Sequence, residues 1–140
     1  MSLSWGLNMD ESQIFKKIQE CLAGALGIEP EEVRSESSLV RDLGAESIDF
    51  IDIIFRLEKT FDIKIPSGEL FPANLLNEER LIQAGVVTAE GLKVLREKIP
   101  YLDLREFEKD PQVSKLAEHF KVQMILDYVR EKLSKGASKL

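Results

Sequence analysis

The sequence predicts an all-α fold, and three observations favour this class. Apolar residues recur at helical spacing in three long segments, near residues 11–26, 47–61 and 121–133. The alternation of apolar and polar residues that marks a strand does not extend over a useful length anywhere in the sequence. Short connections between helical segments favour antiparallel packing. We therefore expect one all-α domain built as an antiparallel bundle.

The composition is that of an ordinary globular protein. The chain has 140 residues, of which 44% are apolar and 31% charged, and this is enough for one domain with a real core. No apolar run approaches the roughly 20 residues that span a bilayer, and no stretch resembles a secretory signal. Cys21 is the only cysteine and cannot form an internal disulfide. We expect a monomeric cytoplasmic protein that does not insert into membranes.

The net charge of −6 is concentrated in one region of the chain. Residues 1–28 carry three acids and two bases, and residues 63–140 carry twelve acids and thirteen bases. Residues 29–62 carry ten acids and four bases, a net charge of −6. Such a field repels nucleic acid and anionic lipid and favours encounter with basic protein surfaces. The competing interpretation is that these charges only solubilise one face of the protein.

Local signals place the first helix near residues 11–26. Asp10 and Gln13 have the spacing of a capping box, and Gly27 lies where a helix stop is expected. Cys21 falls on the apolar face, so we expect an inert core thiol. The whole apolar face comprises Ile14, Ile18, Cys21, Leu22 and Ala25.

A second helix is expected from Ser47 to Phe61, and it is apolar over an unusually wide arc. A surface helix often buries a stripe little more than about 100° wide, whereas this helix is apolar over roughly twice that arc. Either it is unusually central, or part of its apolar surface meets something other than the core. Ile48 and Phe55, beside Asp52 at the edge of the polar arc, are expected to face outward. The buried side is predicted to centre on Ile54, Leu57 and Phe61, and the polar arc comprises Asp49, Asp52, Arg56, Lys59 and Thr60.

The second half of the chain is predicted to contain shorter helices before a final long one. Thr88 is a candidate N-cap for a helix that Pro100 ends, and Asp110 with Pro111 is a suitable opening for another short helix. The final helix is expected at about residues 121–133, with Val122, Ile125, Leu126 and Val129 on one face. The intervening apolar residues need burial; they are Leu75, Leu76, Leu81, Ile82, Leu92, Leu95, Ile99, Tyr101, Leu102, Leu104 and Phe107.

Several chemistries are excluded by residue type and spacing. His119 is the only histidine and has no cysteine near it, so the ligand spacing of a zinc site is absent. A calcium loop that began at Asp42 would place Gly44 and Ile48 at ligand positions and would lack its closing glutamate. The sequence contains neither a GxSxG motif nor a phosphate-binding glycine loop. Ser47 remains, and taken alone it is typical of an ordinary first-turn serine.

The residues around Ser47 carry a resemblance to a known family. The segment DLGAESIDFIDIIFRLEKTFDIKIP resembles the signature of acyl carrier proteins, which joins an Asp-Leu-Gly turn and a serine to an acidic and apolar helix. The segments IFKKIQECLAGALGIEPEEV and KVQMILDYVREKL are similar to the first and last helices of that family, in the same order. The resemblance implies an acyl-carrier-like antiparallel four-helix bundle, with extra short helices inserted between the second and last helices.

The resemblance also implies a function. In this family a serine hydroxyl carries 4′-phosphopantetheine, which comes from coenzyme A and holds an acyl group as a thioester on its terminal thiol. Ser47 is the implied attachment residue, a phosphopantetheinyl transferase is implied to load it, and the protein itself performs no catalysis. The further implied partners are the acyl chain and acyltransferases or synthases with basic docking surfaces. The residues implied to contact them are Glu46, Ile48, Asp49, Ile51, Asp52 and Phe55.

The sequence departs from the family pattern at single residues and in one longer segment. Glu46 stands where Asp is usual, and Lys59 and Thr60 interrupt the acidic charge at the end of the second helix. The larger departure is an insertion at about residues 68–120, where the family has a much shorter connection. This insertion implies a specialised member that serves a dedicated fatty-acid or lipid pathway. It forms a small added core, walls a larger cavity for the acyl chain, or docks one dedicated enzyme.

Two other functions stay open at this point. One is a carrier of an aminoacyl or polyketide unit, and the other is an unmodified protein that uses the bundle as an interaction module. Along the chain we expect a disordered extension or expression remnant at residues 1–9, a single domain at 10–134 and a frayed tail at 135–140.

Overall fold

The computed structural model describes residues 10–72 and 78–138, and it is built mainly of helices. This helical content confirms the predicted all-α class. Within the described ranges, no helix is both long enough and apolar enough to cross a membrane. The elements in chain order are α1 (Glu11–Leu26), α2 (Ser47–Phe61), β1 (Ile82–Gln83), β2 (Val86–Val87), α3 (Ala89–Lys98) and α4 (Val122–Ser138), with 3-10 turns at Pro30–Glu32, Phe107–Lys109 and Val113–His119.

The first helix, α1, begins and ends where its capping signals predict. The Asp10 carboxylate accepts a hydrogen bond from the Gln13 amide at 2.8 Å, and the Gln13 side chain accepts one from the Asp10 amide at 2.9 Å. Gly27 follows the helix in the left-handed conformation, with φ of 68°, which a residue without a Cβ adopts readily. The helix packs against α2 and α4. Its buried residues are Ile14, Ile18, Cys21, Leu22 and Ala23.

The second helix, α2, has the predicted bounds, but its buried side differs from the prediction. Ile54, expected at the centre of that side, is only half-buried. Thr60, expected on the polar arc, faces α1 and accepts a hydrogen bond from the Cys21 thiol at 3.3 Å. Packing against α1 therefore turns the helix away from the predicted orientation. Its buried residues are Ile53, Leu57 and Phe61.

The short hairpin of β1 and β2 is an element that the sequence analysis missed. Its strands pair antiparallel, with Ile82 opposite Val87. Ala84 and Gly85 form the turn with positive φ values of 55° and 76°. A two-residue turn of this kind normally carries Asn-Gly or Asp-Gly, so Ala-Gly gives only a weak signal. Strands of two residues are also too short to show alternation.

The segment between α2 and α4 enlarges the bundle core and does not form a small core of its own. Its buried apolar residues, apart from Leu81, belong to one contiguous cluster with Ile18 of α1, Ile53 of α2 and Val129 of α4. Leu75 and Leu76, also expected to be buried, lie outside the described residues. The buried residues that this segment contributes to the cluster are Ile65, Leu70, Phe71, Val87, Leu95, Ile99, Leu102, Leu104, Phe107, Leu116 and Phe120.

The last helix, α4, is longer than predicted. It continues to Ser138, beyond the expected end near residue 133. Lys135 lies in its last turn, where a cation favours the negative end of the helix dipole. The fraying expected at residues 135–140 stays a prediction. All four residues expected on its buried face are buried: Val122, Ile125, Leu126 and Val129.

Candidate functional site

Ser47 is the first residue of α2, and it is exposed. Backbone hydrogen bonds hold the turn before it: the Ala45 amide donates to the Leu39 carbonyl at 2.8 Å, and the Gly44 amide donates to the Val40 carbonyl at 3.2 Å. Ala45 is buried, whereas Gly44 has φ of 75° and open space where a Cβ would stand. The turn is thus anchored on its inner side and open on its outer side.

The segment before this turn is also joined to the start of α4. The Leu39 amide donates to the Phe120 carbonyl at 2.9 Å, and the Val122 amide donates to the Ser37 carbonyl at 3.0 Å. Leu39 is fully buried and anchors this segment to the core. These bonds fix the approach to Ser47 relative to the end of the segment between α2 and α4.

Two acidic residues flank Ser47 and have different environments. Glu46 is exposed, and its amide donates a hydrogen bond to the Asp49 carboxylate at 2.8 Å. Asp49 is half-buried. The carboxylate of Asp49 therefore satisfies an amide at the start of α2 as well as adding negative charge there.

An uncovered apolar surface extends from Ser47 along the outer side of α2. Ile48 and Ile51 are each 73% exposed, and Phe55 is 63% exposed. This confirms the outward orientation predicted for Ile48 and Phe55. Together with Asp52, Ile54 and Glu58 they line a shallow groove of about 500 Å³.

Asp52 is paired within its own helix. Its carboxylate lies 3.1 Å from Nε of Arg56, one turn further along α2. The Arg56 guanidinium also lies against Gly24 of α1, so closely that a Cβ at residue 24 would stand 2.4 Å from Nη1. Asp52 keeps 43% of its side chain exposed, so its charge still reaches the surface.

Three phenylalanine rings meet beside this site, and the sequence analysis missed them. Phe50 of α2 lies 4.9 Å from Phe71 and 5.8 Å from Phe120, measured between ring centroids, and Phe71 lies 5.5 Å from Phe120. The only local signal is the position of Phe50 three residues after Ser47. Phe71 and Phe120 are far apart in sequence, and nothing in the local pattern indicates that they meet.

The other reactive side chains offer no second site. Cys21 is buried, which confirms its expected core position, and burial raises the pKa of its thiol and so disfavours the reactive thiolate. His119 packs its ring edge-to-face against Phe107 at 5.7 Å. Among residues 10–72 and 78–138, no three His, Cys, Asp or Glu side chains are grouped to hold a metal ion.

These features define a class of protein. A helical bundle presents one exposed hydroxyl at the start of a helix whose outer side is both acidic and apolar. That arrangement suits a carrier, which another enzyme loads and which several enzymes then recognise in turn.

Comparison with known proteins agrees with this class. The family profile described as the phosphopantetheine attachment site matches residues 16–77. The acyl carrier protein of Clostridium acetobutylicum is 43% identical over 56 residues, which cover 40% of this chain and 73% of that protein. The acyl carrier protein of Wolinella succinogenes is 45% identical over 56 residues, covering 40% and 74%. That of Rubrobacter xylanophilus is 43% identical over 61 residues, covering 44% and 75%.

The chain belongs to the acyl carrier protein family. Members of this family are carriers and not enzymes, and they bear a covalently attached 4′-phosphopantetheine. Membership implies interaction with a phosphopantetheinyl transferase and with synthases in general. The matched profile ends at residue 77, so it covers only the first part, residues 68–77, of the segment that we interpret as an insertion.

Proposed function

We propose that Ser47 is the residue to which 4′-phosphopantetheine is attached, and that the chain carries an acyl group as a thioester. The observation that carries this proposal is the exposure of Ser47 at the first position of α2. An attachment serine must reach the active site of another enzyme. The open space beside Gly44 leaves room for such an approach.

The chemistry needs only a free hydroxyl on this chain. Oγ of Ser47 attacks the phosphorus of coenzyme A that bears pantetheine, and the bond from that phosphorus to the leaving 3′,5′-adenosine diphosphate breaks. The hydroxyl proton passes to a base of the transferase. The product is a phosphodiester, and the chain contributes position and recognition.

The start of α2 suits the resulting negative charge. Free amides and the helix dipole favour an anion at a helix N-terminus by about 0.3–1 kcal/mol at an exposed site. Asp49 already occupies part of this region through its bond to the Glu46 amide. The phosphodiester and the Asp49 carboxylate therefore share the favourable charge environment of this helix N-terminus. We attribute the choice of Ser47 as the attachment residue to its exposure.

Partner recognition is assigned to the outer side of α2. Glu46 and Asp52 supply negative charge for encounter with basic docking surfaces, and Asp49 adds to it from the first turn. The exposed apolar residues Ile48, Ile51 and Phe55 supply the short-range contact. The partners proposed are the transferase and the acyltransferases or synthases of one pathway.

The cargo proposed is an acyl group of a specialised fatty-acid or lipid pathway in the cytoplasm. The large apolar segment between α2 and α4 supports a specialised member, because it joins the core of the bundle that carries Ser47. We propose that residues 10–134 form a single domain. An aminoacyl or polyketide unit is the alternative cargo, and analysis of the group carried by the protein purified from its source distinguishes them.

Intact-mass measurement tests the attachment site. The protein is incubated with coenzyme A and a promiscuous phosphopantetheinyl transferase. We expect one added phosphopantetheine on the natural chain and on Ser114→Ala, an exposed serine in the turn before α4. We expect none on Ser47→Ala. Failure of the natural chain to load, under conditions that load a control carrier, would favour an unmodified interaction module.

A further inference from the structure

Ser47 lies on the boundary between the two apolar sides of α2. Ile51 and Phe55 follow it at spacings of four and eight residues and belong to the exposed surface. Phe50 and Ile54 follow it at three and seven residues and are half-buried against the core, and Ile54 also borders the outer groove. An apolar chain tethered at Ser47 therefore has two neighbouring destinations: the outer groove and the interior beyond Phe50.

The ring of Phe50 stands at the start of the inner route. It makes edge-to-face contacts with Phe71 and with Phe120. Phe71 and Phe120 are both buried, at 7% and 6% exposure, whereas Phe50 is only half-buried. The three rings thus join α2 to the segment between α2 and α4, three residues along the chain from Ser47.

Two of the three rings are held by their own segments. The carbonyl of Phe120 accepts a hydrogen bond from the Leu39 amide. Phe71 follows Leu70, which is 1% exposed, and the neighbouring Glu69 is bonded to Tyr128 and Lys132 of α4. Phe50 is the least buried of the three rings, so it is the ring that we expect to turn outward.

We propose that Phe50 is a gate that sets the shortest acyl chain able to enter the bundle. This inference rests on the proposed attachment at Ser47. Turning Phe50 away breaks two aromatic contacts, and burying methylene groups in their place offsets that loss only when the chain is long enough. Short acyl groups therefore stay outside on the arm, and longer linear chains open the gate.

The rate at which hydroxylamine cleaves the thioester tests this gate. Acyl groups of increasing length are loaded from acyl-coenzyme A by the transferase, and cleavage is followed by intact mass. The same thioesters of free pantetheine give the rate without protection. In the natural chain, we expect short groups to be cleaved at that rate, and groups above a threshold length to be cleaved several-fold more slowly.

Variants of two phenylalanines on the same helix separate the inner route from the outer one. Phe50→Ala removes the gate, so protection should begin at a shorter chain length, and Phe50→Leu should give an intermediate threshold. Phe55→Ala is the comparison on the exposed side. We assign Phe55 to partner contact, so this variant should load more slowly, but the threshold is measured on the loaded protein and should be unchanged. Thermal unfolding of the phosphopantetheine-bearing forms checks the fold, and Phe50→Leu carries the test if Phe50→Ala does not fold.

Each outcome has a separate meaning. Absence of loading on every variant contradicts the attachment site, not the gate. Normal loading with the same protection profile in all variants, or with no protection in any, overturns the gate. A threshold that moves in Phe55→Ala and not in the Phe50 variants also overturns it, because the chain would then lie in the outer groove.

Discussion

The amide of Glu46 donates a hydrogen bond to the carboxylate of Asp49, and this bond spans Ser47 at the start of α2. On the helical wheel Asp49 and Asp52 are alike, since both are acidic residues of one outward arc. The structure separates them, because Asp49 completes the helix start while Asp52 is paired with Arg56 at the surface. Reversal of both charges together would therefore combine a recognition effect with a loss of helix stability.

Reversal of Asp52 alone is the cleaner test of recognition. Asp52→Lys should slow loading by the transferase several-fold at low ionic strength, because it removes a negative charge and releases Arg56 from its ion pair. Helix content measured by circular dichroism should be unchanged, since surface ion pairs of this kind contribute little to stability. Initial rates of loading followed by intact mass give the measurement.

Two controls accompany this prediction: the same charge reversal at a different position, and the addition of salt to the natural chain. Glu97→Lys makes the same change of charge at an exposed position on another helix, α3, and should leave the loading rate unchanged. Added salt should slow the natural chain toward the rate of Asp52→Lys. Equal rates for Asp52→Lys and Glu97→Lys at low salt would remove Asp52 from the docking surface.

The packing of α2 predicts opposite outcomes for two phenylalanines. Phe61 is 2% exposed in the core, so Phe61→Ala should lower the free energy of unfolding by about 3–5 kcal/mol. Phe55 is 63% exposed, so Phe55→Ala should change it by less than about 0.5 kcal/mol. Urea denaturation of both variants measures the difference. Similar losses at the two positions would show that α2 is oriented differently from the structure.

The sequence predicted the ends of α1 and α2 because the residues that cap or stop them act locally. In α1, for example, Asp10 and Gln13 form hydrogen bonds with backbone amides of the first turn, and Gly27 adopts the left-handed conformation that ends the helix. These interactions do not depend on what packs against the helix. The orientation of α2 was predicted less well. The helical wheel identified the exposed Ile48 and Phe55, but whether Ile53 or Ile54 is central depends on where α1 lies.

The local sequence pattern did not predict features that are formed by residues far apart in the chain. The cluster of Phe50, Phe71 and Phe120 joins residues that lie far apart in sequence, and no spacing rule connects them. The hairpin at Ala84 and Gly85 depends on an alanine in a left-handed conformation, which few sequences show. The resemblance to acyl carrier proteins supplied the candidate role of Ser47, and the exposure of that residue agrees with it.

The contact between Glu69 and α4 predicts a dependence of stability on pH. Burial acts to raise the pKa of Glu69, but hydrogen bonds from Lys132 and Tyr128 outweigh it, and the pKa lies below the ordinary value of 4.5. Burial and the bond to Glu69 raise the pKa of Tyr128, which keeps its hydroxyl a donor. The ionised carboxylate thus stabilises the folded state above about pH 4.5, and this contribution is lost as pH falls through the lowered pKa.

Substitution of Glu69 should remove part of that dependence. Glu69→Gln should unfold at lower urea concentration than the natural chain near neutral pH, and the difference should shrink as pH falls below about 4.5. Glu97→Gln, an exposed carboxylate on α3, is the matched control and should not alter the profile. A Glu69→Gln difference that stays constant down to about pH 3 would mean that the pairing of the carboxylate does not stabilise the fold.

The role of the inserted segment is the last prediction. Deleting it, the simplest test from the sequence, is not informative, because its residues share the core of α1, α2 and α4. A point variant is sharper. Leu102→Ala should cost about 2–5 kcal/mol in stability and leave a cavity in the inserted part of the core. If this segment walls the space for the acyl chain, the longest chain that still raises the melting temperature should be longer in Leu102→Ala.

The control for Leu102→Ala is a variant that leaves a cavity of similar size outside the segment between α2 and α4. Leu22→Ala empties a fully buried position on α1 and should lower stability without the same shift in preferred chain length. Each buried methylene contributes about 0.8 kcal/mol, so two or three additional carbons give a measurable rise in melting temperature. If melting temperature is indifferent to chain length in both variants and in the natural chain, the segment does not shelter the acyl chain. Its outer surface is then the part to test for docking one dedicated enzyme.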